Sequence, residues 1–366
     1  NTRFCVPTNA NFKLKTIKSQ FPFWTYTKLP REIKKDKPDI LFMPIQAVPF
    51  FNKPKNIKIV ITVHDLAFLL FPDHFTAKDR FLLNFHTKRA VKMADKIIAP
   101  SEATKKDIMK FYEIDENKIK VIYHGVSRWI HSPVGLDASS IHKQAPHRSM
   151  EPTARSMEPT ARSMESAVLR KAQDDSKQVR DESPYILFVG TIQPRKNIVR
   201  LIEAFETIKT RRNEALPRSY NNLKLIIAGG RGWMANETYR KAKKSKFSKD
   251  IVLKGKVSDE ELKKLYQNAL MFVLPSLYEG FGLPILEAMN YGLPCIVSDN
   301  SSFIEIANDR ALFVNPESSD DIAQKIDMFL NNEFLRKDFS QRSLENVKKF
   351  SWNKSAKEML EIFKSI

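Results

Sequence analysis

Three observations predict an α/β chain of two domains, each a doubly wound parallel sheet. The 366 residues give room for two cores of ordinary size. Short runs rich in Ile, Val and Leu alternate with helical patterns, the signature of a parallel sheet with helices on both faces. The runs are apolar on both sides, as strands buried within such a sheet are.

In order, residues 39–43 and 57–63 read as the first two strands, and residues 80–93 have helical spacing. Residues 96–99 read as a strand, after which Ser101 is a good N-cap for a helix reaching residue 111. Residues 119–123 form one more strand, ending at His124-Gly125-Val126. Alternation stops over 131–183 and resumes with strands at 185–189, 223–228, 251–254, 271–274 and 295–298. Helices at 197–209 and 258–268 separate them, the second opening with a capping box of Ser258 and Glu261. Ligands of such sheets bind beyond the carboxyl ends of the strands, so the chemistry is sought in the loops there.

The interruption has its own logic. Arg148-Ser149-Met150-Glu151-Pro152-Thr153-Ala154 recurs at 155–161 and begins again at Arg162. A period of seven suggests a coiled coil, but Pro152 and Pro159 each remove a helix donor and exclude it. The segment reads as a duplicated, disordered insertion without a chemical role.

Composition narrows the function classes. Apolar residues make up 42% and charged residues 28%, which are globular values. Cys5 and Cys295 are the only cysteines, too few to staple a fold, and no CxxC or Cys/His cluster suggests zinc; a reducing cytoplasm fits. The formal charge of +19 points to nucleic acid, an anionic membrane surface or phosphorylated small molecules. The lysines are dispersed and no nucleic-acid module is present, so no nucleic-acid partner is expected. The longest apolar stretch, 40–51, holds about a dozen residues and is broken by Pro44 and Pro49, where a span needs ~20. Association with a membrane is therefore expected to be peripheral. No signal peptide is recognisable.

The richest loop follows 271–274. Pro275-Ser276-Leu277-Tyr278 leads to Glu279-Gly280-Phe281-Gly282, then to a helix with Pro284 at an early position. Glycines permit close backbone approach, and a helix start offers free N–H groups to an anion. Glu287 is expected in the first turn, so that two carboxylates face one pocket. A second loop, Gly190-Thr191-Ile192-Gln193-Pro194-Arg195-Lys196-Asn197, sets two cations before a helix, where they oppose the macrodipole unless an anion is supplied. Gly229-Gly230-Arg231-Gly232 follows the next strand as a turn or a nucleobase-side wall, and His64-Asp65 follows 57–63.

The run from Glu279 to Glu287 resembles the E-x7-E signature of the family-4 (group 1) retaining glycosyltransferases, mannosyltransferase-like members above all. The resemblance covers most of 185–316, and Thr62-Val63-His64-Asp65-Leu66 resembles a further segment of the same family. It implies the GT-B fold, two Rossmann-like domains facing a cleft. Residues 1–130 would be the acceptor-side domain and 184–335 the donor domain. Residues 336–366 would be C-terminal helices, the last, from about Ser355, crossing back onto the first domain. Nothing before Asp39 supplies the family's strand and glycine-rich G-G-I-G loop, which implies a truncated start.

By the same resemblance Glu287 binds the ribose hydroxyls, and Glu279 lies beside the transferred sugar. The backbone at Phe281, Gly282 and Leu283 holds the donor, with Gly190, Thr191 and Gly229 along the same edge. Arg195 and Lys196 neutralise the departing diphosphate, although some relatives carry an arginine where Thr191 stands. His64 contacts the donor sugar and Asp65 organises the cleft, while Ser101 and His124 shape it. The expected catalytic set is His64, Asp65 and Glu279. The implied reaction is metal-independent transfer of a hexose from a nucleotide sugar, GDP-mannose ahead of UDP-hexoses, to a glycan or lipid-linked acceptor. The leaving phosphate would deprotonate the acceptor on the same face. A nucleotide-sugar-binding remnant without activity, or another GT-B enzyme such as an epimerase, is the alternative. Phe68-Leu69-Leu70-Phe71-Pro72 reads as core or as an acceptor-side lip touching lipid.

Overall fold

The computed structural model describes residues 15, 24–126, 183–215 and 222–366. The expected insertion at 131–183 lies outside these residues apart from Ser183, as does most of the chain before Trp24. The described strands pair in parallel and form two sheets. The first holds β1 (Ile40–Met43), β2 (Lys58–Thr62), β3 (Lys96–Ala99) and β4 (Ile119–Val121) in that order. The second holds β5 (Tyr185–Val189), β6 (Lys224–Ala228), β7 (Ile251–Gly255), β8 (Met271–Leu274), β9 (Cys295–Ser298) and β10 (Leu312–Val314). Its spatial order is β10-β9-β8-β5-β6-β7.

That order fixes where a ligand can go. From β5 the chain winds outward through β6 and β7, then returns to place β8 on the other flank of β5. Ile186 of β5 consequently pairs with Leu225 on one side and Met271 on the other. Loops leaving β5 and β8 diverge at this reversal, so their carboxyl ends border a crevice. Both strands are buried along nearly their whole length. Phe188 and Phe272, fully buried here, each contribute about 1.5–3 kcal/mol through removal from water.

Local chemistry explains the helix starts. Thr76 begins helix Ala77–Met93 by accepting from Asp79 N at 3.1 Å. Ser101 begins helix Glu102–Tyr112 by accepting from Thr104 N at 3.0 Å. Ser258 begins helix Asp259–Asn268, but only half of the expected box forms. Its Oγ accepts from Glu261 N, whereas the Glu261 carboxylate pairs with Lys254 at 2.8 Å. The final helix, Trp352–Lys364, does cross back. Its Ile362 packs with Val60, Ile98 and Ile122 on the first sheet, and Ser355 Oγ donates to Tyr123 O at 2.5 Å.

In the apolar run after His64-Asp65, Phe68 is core and residues 69–72 are half-buried. Phe68 is fully buried beside Ile59, Ile61 and Val63, with Leu69 packed on the same cluster. A lipid-touching lip is therefore not formed by Phe68. Among the described residues no helix is long and apolar enough to cross a membrane.

Candidate active site

The crevice between β5 and β8 gathers three charged groups. After β5, a short turn at Pro194–Lys196 ends on Asn197, whose left-handed backbone (φ 58°) reverses the chain into helix Ile198–Ala215. The Asn197 amide donates to Pro275 O at 2.9 Å and Pro316 O at 2.6 Å, and Leu277 N donates to Arg195 O at 2.9 Å. The loops after β5 and β8 are thus locked together. Their lock brings Arg195 Nη1 to 3.1 Å and Lys196 Nζ to 2.5 Å from opposite oxygens of the Glu279 carboxylate.

All three side chains are buried. Burial alone would raise the Glu279 carboxyl, but Lys196 and then Arg195 overcome it and hold the group down at about 2. The Arg195 guanidinium moves the opposite way. Burial works against its charge, and Glu279, followed by Asp65 across the cleft, raises it above its ordinary value. Two cations thus share one carboxylate, which leaves the cluster with a surplus positive charge at the start of two helices. This is what an anion requires and what an unliganded protein must partly compensate.

Gly280 is where the two domains touch. A Cβ there would lie 1.9 Å from His64 O, so only glycine allows the approach. Its carbonyl accepts from Ser101 Oγ at 2.6 Å and Thr104 Oγ1 at 3.1 Å. Beside it, Tyr278 OH donates to Asp107 Oδ2 at 2.5 Å. The Glu305 carboxylate accepts from Glu102 N at 2.9 Å and Ala103 N at 3.0 Å, capping the first domain's helix from the second domain.

Glu287 departs from expectation. Helix Leu283–Asn290 begins directly after Gly282, which puts Glu287 in the second turn, not the first. Its carboxylate accepts from Tyr266 OH at 2.8 Å, and Tyr266 is fully buried against Tyr291. Burial raises the Glu287 carboxyl. Glu279 thus uses both oxygens on cations, whereas Glu287 is oriented by a phenol. Tyr266→Phe is expected to cost about 1 kcal/mol in unfolding free energy, read by denaturant titration; no change would remove the phenol from this role.

On the opposite wall His64 is exposed, with Nε2 2.9 Å from Pro44 O and its backbone N–H donating to Gln46 Oε1 at 3.0 Å. Asp65 Oδ1 accepts from Ala67 N at 3.1 Å, starting the following turn. The His124 ring lies 5.9 Å from His64, edge-on to Phe281 at 4.9 Å and beside Trp352 at 5.4 Å. Burial, then His64, lowers it to about 4, so it is neutral at pH 7 and fills space. The Phe281 side chain is occupied by this aromatic group, while Leu283 is part-exposed at the helix start.

The Gly229 segment packs tightly against the loop that follows β5. A Cβ on Gly229 would meet Gly190 O at 1.9 Å. Arg231 bonds Asn236 and lies over the Tyr239 ring at 5.2 Å. Further along, Trp233 Nε1 donates to His74 O at 2.7 Å, a further bridge across the cleft. Thr191 is exposed nearby.

Residues 170–346 match the family Glycosyl transferases group 1, and residues 7–128 match Glycosyltransferase Family 4. The chain carries a group 1 and a family 4 glycosyltransferase domain. The O-antigen chain mannosyltransferase B of Escherichia coli is 35% identical over 180 residues, 49% of this chain and 45% of that protein. The O-antigen chain mannosyltransferase RfbU of Salmonella typhimurium is 30% identical over 257 residues, 70% of this chain and 56% of that protein. The chain thus spans about half the length of the curated relatives it matches. Anabaena HepE in complex with UDP and glucose superposes with a TM-score of 0.62 at 16% identity, covering 92% of this chain and 81% of that one. The paired parallel-sheet domains form the GT-B fold.

Group 1 motifs marked the loops but not their mutual contacts. Tyr266, Asp107 and Glu305 carry no motif. Only the weak signal of a polar residue at a helix start or on a helix face attaches to them.

Proposed function

We propose that this chain transfers a hexose from a nucleoside-diphosphate sugar to a glycan or lipid-linked acceptor, with retention at the anomeric carbon. The observation that carries this reading is the buried Arg195–Glu279–Lys196 cluster at the reversal of the second sheet. Its surplus positive charge fits a diphosphate, with the N–H groups at Gly282 and Leu283 as further donors. GDP-mannose stands ahead of UDP-hexoses. The relatives named above as mannosyltransferases support that order, although HepE, a fold neighbour, was crystallised with UDP and glucose.

In this reading Arg195 and Lys196 take up the charge that develops on the leaving diphosphate. The leaving phosphate oxygen itself accepts the proton of the incoming hydroxyl on the same face. Glu279 holds the cations in place beside the sugar, and His64 and Asp65 form the opposite wall. The charge is supplied by side chains and a helix start, so the proposed site draws none from a metal ion. Gly190, Thr191 and the Gly229 joint border the nucleotide, and Glu287 receives the ribose hydroxyls.

A donor screen tests this. Thermal stabilisation and nucleoside diphosphate release are measured with GDP-mannose and with UDP-glucose, followed by the anomeric configuration of the product by NMR. Stabilisation by neither donor would sink the reading, and an inverted product would sink its mechanism. Glu287→Gln is expected to weaken nucleotide affinity roughly tenfold in calorimetric titration, as befits loss of a charge-assisted hydrogen bond. Unchanged affinity would end the ribose assignment.

A further inference from the structure

Helix Ala77–Met93 presents the wrong side chains for a solvated face. Its inner side, Thr87, Ala90 and Val91, is buried as expected. Its outer side carries Phe81, Leu82 and Phe85, at positions i, i+1 and i+4, which share one stripe. Phe81 is 70% exposed and Phe85 45% exposed. Phe50, 41% exposed on the loop after β1, extends the stripe sideways. The rings form a row: Phe81 stacks on Phe85 at 6.4 Å and Phe85 on Phe50 at 6.0 Å, with the Arg89 guanidinium 4.6 Å from the Phe50 centroid. Large aromatics held in a row in contact with water are an unfavourable surface unless something covers them.

The surroundings state the chemistry of the cover. Lys78, Lys88 and Lys92 are exposed on the same side of the helix, and none of them makes an ion pair with a described residue. They flank the rings as basic residues flank the apolar stripe of an interfacial helix. The chain as a whole carries +19, which adds long-range attraction to an anionic surface. The patch also shares a loop with the candidate site. The loop bearing Phe50 begins at Pro44, whose carbonyl lies 2.9 Å from His64 Nε2, and Gln46 accepts from His64 N.

We propose that Phe50, Phe81 and Phe85, with Lys78, Lys88 and Lys92, form a docking face for an anionic lipid bilayer. The rings enter the boundary between headgroups and acyl chains, and the lysines lie against the lipid phosphates. The first domain then rests on the membrane with the His64 wall of the cleft near its surface. The inference is independent of the proposed reaction, because vesicle binding needs neither donor nor turnover.

Co-sedimentation of the full chain with phosphatidylcholine vesicles, with or without an equal part of phosphatidylglycerol, tests it. The chain is expected to sediment with the anionic vesicles and far less with the neutral ones. Phe81→Ser with Phe85→Ser should lower partitioning at least ~tenfold. Lys88→Gln and Lys92→Gln should each lower it about fivefold on anionic vesicles only, in a salt-dependent manner. Phe334→Ser, more exposed but in the other domain, is expected to bind as the unaltered chain does. All five positions are on the surface, so the variants should keep the parent circular dichroism and melting curve. The proposal is overturned if the doubly substituted chain sediments undiminished, if the unaltered chain binds neither vesicle, or if Phe334→Ser loses as much. It is also overturned if, without vesicles, the unaltered chain is a dimer that the phenylalanine variant turns to monomer. That result would assign the patch to a second copy.

Discussion

Glu279→Gln is expected to destabilise the folded chain by about 3–5 kcal/mol at neutral pH, the scale of removing one partner from a buried ion cluster. The carboxylate is the counter-charge of two buried cations, bonded to Lys196 at 2.5 Å and Arg195 at 3.1 Å. The amide keeps the shape but leaves both cations uncompensated. Acid titration gives the second half of the test. The Glu279 carboxyl is held at about 2 against an ordinary 4.5, so folding favours its ionised form. Its stabilisation is fully present above about 4.5 and is lost as pH falls towards 2. The gap in stability between parent and variant should therefore narrow across that window. Denaturant titrations of both proteins over a pH series measure it. A variant as stable as the parent at neutral pH would overturn the reading, as would a gap unaffected by acid.

The same cluster marks what could be read from sequence and what could not. The strands of both sheets were legible because burial on two faces writes itself as an apolar run, as in Tyr185–Val189 and Met271–Leu274. β10 escaped notice since three residues, Leu312–Val314, are too few to show a period. The charged residues of the crevice were legible one loop at a time, from glycines and cations at helix starts. Their pairing was not, because it depends on the strand order, which brings residues more than eighty positions apart into contact. Glu287 reads one turn early because Pro284 suits the first helical position, whereas the helix starts at Leu283, directly after Gly282 at φ +98°. Gly280 looked like a ligand-facing glycine; its closest constraint is the backbone of His64 in the other domain. The Phe81 and Phe85 stripe satisfied helical spacing, and no spacing rule tells an inward apolar face from an outward one.

Lys196→Met is expected to reduce kcat/KM for donor turnover by about 10²–10³-fold, the range for removing one preorganised group that stabilises developing charge. It separates function from folding more cleanly than Glu279→Gln. Arg195 and Glu279 remain as a neutral pair at 3.1 Å, so no buried charge is left without a partner. Removing Arg195 would also free Tyr278 O, to which its guanidinium donates at 2.5 Å, and would loosen the loop itself. The two variants shift the cluster's charge in opposite directions. Two cations and one carboxylate give a net +1; Lys196→Met makes it 0 and Glu279→Gln makes it +2. Calorimetric titration with a nucleoside diphosphate should therefore show weaker binding to Lys196→Met, and no weakening with Glu279→Gln at a temperature where it is folded. Titration with the bare nucleoside should show little change in either. Equal losses for nucleoside and diphosphate would point to a disturbed pocket rather than a phosphate contact. Tighter diphosphate binding by Lys196→Met would remove the cluster from the donor site altogether.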